Sequence, residues 1–199
     1  MNFKNMKNLY VFSCVILCII FLLPSLATIV HFPEGEKFSE LWILGPAHQM
    51  GDFPFKVSQG VTYRVFLGVG NQMGSLEYYL VRVKLRNQTE PIPDNSAGIP
   101  SELPTIYEYR TFLLNNATWE AEFPFSLRDV SFKGNISRIS TIFINGLPIN
   151  VNKIGFIDEN NNGFYYELFF ELWIYNSAIS AFQFHNRSVG FWINLNSLY

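Results

Sequence analysis

EYYLVRVKLR, residues Glu77–Arg86, decides the fold class of this chain. Tyr79, Val81, Val83 and Leu85 fall on one side of an extended backbone, and Arg82, Lys84 and Arg86 on the other. Side chains of a strand alternate between its two faces. A two-residue period therefore means one dry face and one wet face, as in an antiparallel sheet. The three cations read as the solvated side of that strand. Working outward, the pattern recurs. Tyr63, Val65, Leu67 and Val69 share a face upstream, and in Tyr165–Tyr175 Leu168, Phe170 and Leu172 alternate with Glu167 and Glu171. Shorter strands are expected at Phe38–Leu44, Phe53–Val57, Ile139–Ile144, Val151–Ile157 and Phe191–Leu195. Tyr107–Leu114 and Trp119–Phe125 read as a hairpin across Asn115 and Asn116, and Asn145 with Gly146 as a tight turn. Asn87–Pro104 reads as a long loop, Arg128–Asn135 as irregular, and Asn176–Ser188 as irregular with room for a helical turn. About ten short strands with regular turns predict an all-β, immunoglobulin-like antiparallel β-sandwich.

The N-terminus is a different kind of sequence. Leu9–Val30, LYVFSCVILCIIFLLPSLATIV, carries no charged side chain. As a helix it would run roughly 33 Å, enough to cross a hydrocarbon core of about 30 Å. Lys4 and Lys7 precede it, which puts the N-terminus inside. The expected organisation is a cytoplasmic segment at 1–8, a transmembrane anchor at 9–30, a membrane-exit linker at 31–38 and an exported β-sandwich at 39–199. The competing reading is a signal peptide, with an apolar run, Pro24, and a small-x-small site ending at Ala27. Both readings export the domain. The first also makes the membrane a partner through Leu9–Val30, with a single-pass cell-membrane localisation.

The charge balance, net −2 with no basic run, argues against nucleic acid as a partner. Cys14 and Cys18 both lie in the apolar segment, so the domain has neither a disulfide framework nor thiolate metal ligands. Asn87, Asn116, Asn135 and Asn186 each head an Asn-x-Ser/Thr sequon and are glycosylation candidates. Asp158, Asn160 and Asn162, followed by Gly163, match the first half of a calcium loop, in which alternate oxygens converge on the ion. The twelfth position holds Phe169 rather than a Glu, and the competing reading is a plain hairpin turn. His31, His48 and His185 are scattered and read as surface residues. The pairs Glu120 with Glu122 and Glu167 with Glu171 share strand faces and read as wet-face acids rather than a glycosidase pair. No nucleophile elbow, phosphate loop, zinc helix or dinucleotide fingerprint occurs, so an enzyme is not expected. Aromatics make up 17% of the chain, more than solubility asks for. Most belong in the core; any exposed beside Asn87–Pro104 would form a protein or glycan contact surface.

FSELWILGP at Phe38–Pro46, then Asp52, Phe53 and Pro54, then a strand over Val61–Val69 closing on Gly70 and Asn71, follow a recognisable order. This order resembles the exported C-terminal domain of a mainly archaeal membrane family catalogued as domain of unknown function 1616. The pieces at Trp119–Phe125, Phe170–Trp173 and Val189–Asn194 fit the same context. The chain departs from the pattern at Asp52–Pro54, where a Tyr-Pro pair is usual, and at Gly70–Gln72, where Asn-His-Glu is common. Many relatives also carry several membrane helices ahead of the domain. The resemblance implies a membrane-tethered, exported β-sandwich and no catalytic residues. The expected function is thus a membrane-anchored extracytoplasmic binding or structural module for a cell-surface protein or glycan. The alternatives are an accessory subunit of an export or envelope-assembly system, and a secreted glycan-active enzyme released by cleavage near Ala27.

Overall fold

The computed structural model describes residues 10–21 and 36–195. The chain divides into two compact units, Met1–Glu36 and Lys37–Tyr199. In the first, residues 10–21 form a helix. The described turns span about 18 Å at 1.5 Å per residue. Among the described residues no helix is long and apolar enough to cross a membrane. The expected anchor over Leu9–Val30 is corrected accordingly, and with it the single-pass cell-membrane localisation, the membrane as a partner, and the anchored cell-surface module. Leu9 and residues 22–30, including the cleavage site near Ala27, lie outside the described residues.

The second unit is mostly β-sheet. Its strands are β1 (Phe38–Leu44), β2 (Lys56–Val57), β3 (Thr62–Gln72), β4 (Glu77–Asn87), β5 (Tyr107–Leu113), β6 (Thr118–Lys133), β7 (Ile136–Ile144), β8 (Leu147–Asp158), β9 (Gly163–Asn176) and β10 (Ala181–Leu195). They form one ten-stranded sheet ordered β1-β3-β6-β7-β8-β9-β10-β2, with β4 also paired to β9 and β5 to β4. The immunoglobulin-like sandwich is corrected to this continuous half-barrel. The reason lies in β8, which pairs β7 along most of its length and then, at Ile157 and Asp158, pairs Phe164 and Gly163 of β9. The sheet never breaks into two. One pair is also parallel, β10 with β2.

The alternation places the core as its period requires. Val65, Leu67, Val69, Phe123, Phe125, Ile142 and Ile144 from one half meet Tyr79, Val81, Val83, Leu85, Leu168, Phe170 and Phe191 from the other. The Phe123 and Phe170 rings meet edge to face at 5.0 Å, a preferred aromatic geometry. Asn145 and Gly146 form the tight turn with φ of 51° and 77°. Three local expectations change. β6 runs through the stretch read as irregular, with Asp129 at φ 52° and its register to β7 unbroken. β10 likewise runs through its stretch, with His185 and Asn186 bulged where its register to β9 shifts between Phe184 and Arg187. The hairpin of Tyr107–Leu114 with Trp119–Phe125 does not form, because β5 pairs β4 while β6 pairs β3 and β7.

That crossing from one half of the sheet to the other is held by Asn71, which is fully buried. Its backbone N–H donates to Ala117 O (3.0 Å) and its carbonyl accepts from Asn116 (2.8 Å). Its side-chain Nδ2 donates to Ser75 O and Leu113 O, both at 2.8 Å. Its Oδ1 accepts from Met73 N–H (2.9 Å) and the Tyr79 hydroxyl (3.1 Å), and Tyr79 in turn meets Ser39 Oγ at 2.7 Å. Every polar atom of the amide is used, which is the condition for burying it without loss.

The cationic face of β4 is not wet. Lys84 and Glu171, with side chains 3% and 0% exposed, pair at 2.9 Å across β4 and β9. The loop after β4 covers them: Lys84 Nζ donates to Ser101 O (2.5 Å), and Ser101 N–H donates to Glu171 Oε1 (2.7 Å). Trp173 Nε1 completes the carboxylate's set at 3.2 Å. Removing one partner of such a pair strands a buried charge. Lys84→Met alone is expected to lower unfolding free energy by about 3–5 kcal/mol. Joining it to Glu171→Leu restores part of that loss, read from urea unfolding of the four-member cycle. Asn71→Asp points carboxylate oxygen at two carbonyls, so it is expected to destabilise by at least about 2 kcal/mol near neutral pH. Part of that loss should return on acidification, read from the same unfolding measured against pH.

Candidate functional site

On the outer face of β9 and β10 three aromatic side chains border one cleft of about 390 Å³, with Phe55, Tyr165 and Trp192 on its walls and Gln88, Asp158 and Asn161 completing it. A volume of that size lies in the range of small-ligand sites. Each wall has a local cause. Tyr165 and Trp192 lie on neighbouring strands, Tyr165 opposite Asn194 and Trp192 opposite Glu167. Phe55 arrives through the parallel β2 pairing, its carbonyl accepting from Asn194 N–H at 2.6 Å. The Phe55 and Tyr165 rings stand 6.0 Å apart, tilted 38°. Behind Trp192 the Arg86 guanidinium sits 4.7 Å from the ring centroid, held by Glu167 at 2.5 Å. This cation–π contact fixes the indole's orientation.

Gln88 is positioned by the start of the long loop. Glu90 accepts Asn87 N–H (2.9 Å) and Lys153 Nζ (2.8 Å), while its carbonyl accepts Arg86 Nη1 (2.7 Å). Gln88 Nε2 then donates to Asp158 Oδ2 at 3.3 Å. Asp158 is the centre of the cleft's polar rim. Its Oδ1 accepts the N–H groups of Asn160 (2.9 Å) and Asn161 (3.3 Å), and its Oδ2 also accepts Asn161 Nδ2 (2.8 Å). The Asn161 side-chain amide, followed by the turn's backbone N–H groups, holds this carboxyl below the ordinary aspartate value. The Tyr165 hydroxyl donates to Asn161 O at 3.1 Å, tying the turn to β9. Gly163 enters β9 where a Cβ would lie 2.5 Å from Asn194 Oδ1, so close approach demands glycine.

The expected calcium loop is this same turn. Asp158 there accepts from the Asn160 and Asn161 N–H groups and from the Asn161 and Gln88 side-chain amides. Among the described residues no group of three or more His, Cys, Asp or Glu could hold a metal. Of the sequon residues, Asn116, Asn135 and Asn186 are exposed, whereas Asn87 is buried and its Nδ2 donates to Ile154 O at 2.9 Å. His48 stacks on Phe66 and meets Glu120 at 3.1 Å, and Glu122 pairs with Arg64 at 3.2 Å. Each of the four strand-face acids thus has a basic side chain as partner: His48 for Glu120, Arg64 for Glu122, Arg86 for Glu167 and Lys84 for Glu171. Sequence reading reached the turn at Asp158 but not Gln88, Phe55, Tyr165 or Trp192. The parity of β9 and β10 marks Tyr165 and Trp192 as outward-facing; only the fold joins them to the other two.

Because Asp158 has a lowered folded-state pKa, its stabilising bonds are present above the ordinary carboxylate value and are lost as pH falls through the folded one. A carboxyl-detected NMR titration is expected to find the Asp158 midpoint below that of a model aspartate. The amide signals of Asn160 and Asn161 should shift at the same midpoint.

Three solved structures are similar to this chain. β-Glucosidase from Listeria innocua in complex with glucose matches with TM-score 0.39 and 10% identity, over 81% of this chain and 16% of that one. Its complex with gluconolactone matches with TM-score 0.37 and 9% identity, over 84% and 19%. The chain therefore spans under a fifth of the glucosidase. The ASH / PapD-like domain of human CEP192 matches with TM-score 0.33 and 9% identity, over 85% and 93%. Likenesses of this strength say nothing about function. No curated protein sequence matches the chain. A family model does match, over residues 33–146, which span β1 to β7 and carry Phe55 and Gln88 of the cleft. The chain belongs to that family, described as a domain of unknown function (DUF1616).

Proposed function

We propose that this domain is a non-catalytic module that binds a saccharide in the cleft of Phe55, Tyr165 and Trp192. The supporting observation is the convergence of three aromatic rings with two side-chain amides and one carboxylate in a single cleft. A pyranose has an apolar C–H face and a rim of hydroxyls. Aromatic surfaces receive the first, and amide and carboxylate groups receive the second. Trp192 is half-buried and braced from behind by Arg86, so its orientation is set before a ligand arrives. Preorganisation of this kind lowers the entropic cost of binding.

The acids available support binding without hydrolysis. Glycoside hydrolysis ordinarily needs two carboxyl groups flanking the bond, one of them protonated. Asp158 is the single carboxylate among the lining residues, and its N–H donors keep it ionised near neutral pH. It can accept a hydrogen bond from a sugar hydroxyl but has no proton to give a leaving group.

The test is titration of the full chain with neutral hexose and N-acetylhexosamine oligosaccharides, followed by tryptophan fluorescence and by NMR. Binding should perturb the indole of Trp192 and release no reducing sugar. Trp192→Ala is expected to weaken binding by about tenfold or more, with Trp192→Phe recovering part of the loss. If no oligosaccharide perturbs Trp192 in the folded protein, the proposal fails.

A further inference from the structure

A second cleft lies on the outer face of β6, β7 and β8, away from the aromatic one. About 460 Å³ in volume, it is lined by Ser131, Lys133, Ile136, Arg138, Ile154 and Phe156. Strand register explains the grouping. Lys133 pairs with Ile136 and Ser131 with Arg138 between β6 and β7, while Ile136 pairs with Phe156 and Arg138 with Ile154 between β7 and β8. All six therefore project from one face at one end of the sheet.

Three apolar side chains here are exposed, with Ile136 at 43%, Ile154 at 36% and Phe156 at 50%. They sit with two cations that enter no ion pair among the described residues. The ion pairs of the described residues use other cations, from Arg64 and Arg82 through Arg110 to Lys153, and neither Lys133 nor Arg138. No carboxylate lines the cleft. Asp129 on β6 accepts from Thr141 Oγ1 at 3.1 Å, and Arg128 on the same strand lies over the Phe143 ring. In a chain of net charge −2, this face is locally positive.

We propose that this cleft docks an acidic polypeptide segment, seating one bulky apolar side chain among Ile136, Ile154 and Phe156 while flanking carboxylates pair with Lys133 and Arg138. Charge complementarity selects the acidic partner. Concavity selects a side chain over a lipid surface, because an inserted side chain needs a hollow and a bilayer is met by a protruding apolar group. The paired-strand floor is rigid, so the hollow exists before the segment arrives.

The probe is a fluorescein-labelled peptide with a central phenylalanine between glutamates, titrated with the full chain and read by anisotropy. Binding is expected, weakening as salt rises. The double variant Lys133→Glu with Arg138→Glu, at exposed positions, should bind about tenfold or more weakly while keeping the parent's circular dichroism. A peptide with alanine at its centre should also bind more weakly. Equal binding by the reversed-charge variant, or by a peptide carrying lysines for glutamates, overturns the proposal. So does absence of binding at millimolar peptide. Association with phosphatidylserine vesicles in place of the peptide would assign the face to a lipid surface and overturn it equally.

Discussion

The Lys84–Glu171 pair is the constraint on which the outer architecture depends. Two opposite charges on neighbouring strands are ordinary on a wet sheet face. Here they are out of water, and the loop after β4 is what removes them. A buried ion pair contributes little net stability against an apolar alternative, but it strongly penalises arrangements that leave either charge alone. The loop therefore has one favourable seat, with Ser101 supplying a carbonyl to the cation and an N–H to the anion. From that seat the loop's first residues follow. Arg86, Glu90 and Lys153 clamp its start, and Gln88 is delivered to Asp158. A charge pair in the middle of the face thus sets the polar rim at its end.

Asn71 solves a different problem, that of a chain changing halves of one sheet. Leu113 and Ala117 bracket the crossing, and no strand ladder supports the backbone between them. The buried amide substitutes for that ladder, taking two carbonyls with its nitrogen while its oxygen receives an N–H and a hydroxyl. Only a side chain with both donor and acceptor at its tip can do this. An acid lacks the donors and an aliphatic lacks both.

Alternation made the interior legible. Tyr79, Val81, Val83 and Leu85 are buried because period two leaves them no other side, and the same holds for Leu168 and Phe170. What alternation cannot disclose is what covers the opposite face. Lys84 and Glu171 have the residue types of a solvated face, and only the loop's position buries them. Pairing order was equally hidden. Tyr107–Leu113 and Thr118–Lys133 are adjacent strands separated by a short turn-like stretch, which locally resembles a hairpin, yet each finds its partners elsewhere in the sheet. Positive-φ polar residues hid the length of β6 and β10, since Asp129 in the one and the bulged His185 and Asn186 in the other read locally as turn rather than strand.

The aromatic cleft was illegible for a related reason, because its least conspicuous element decides it. β2 is two residues long, and although the sequence reads a short strand over Phe53–Val57, nothing in that stretch names its parallel partner. Val57 is buried in the core, and Lys56 and Val57 lie in parallel register with Asn194 and Leu195. That brief ladder directs Phe55 toward Tyr165, with the Asn194 N–H holding its carbonyl. Without it, Tyr165 and Trp192 would be two exposed rings on an open sheet rather than two walls of a hollow. Shape at this site therefore comes from a long-range pairing whose partner no local pattern names, while its chemistry comes from side chains whose outward direction the strands had already set.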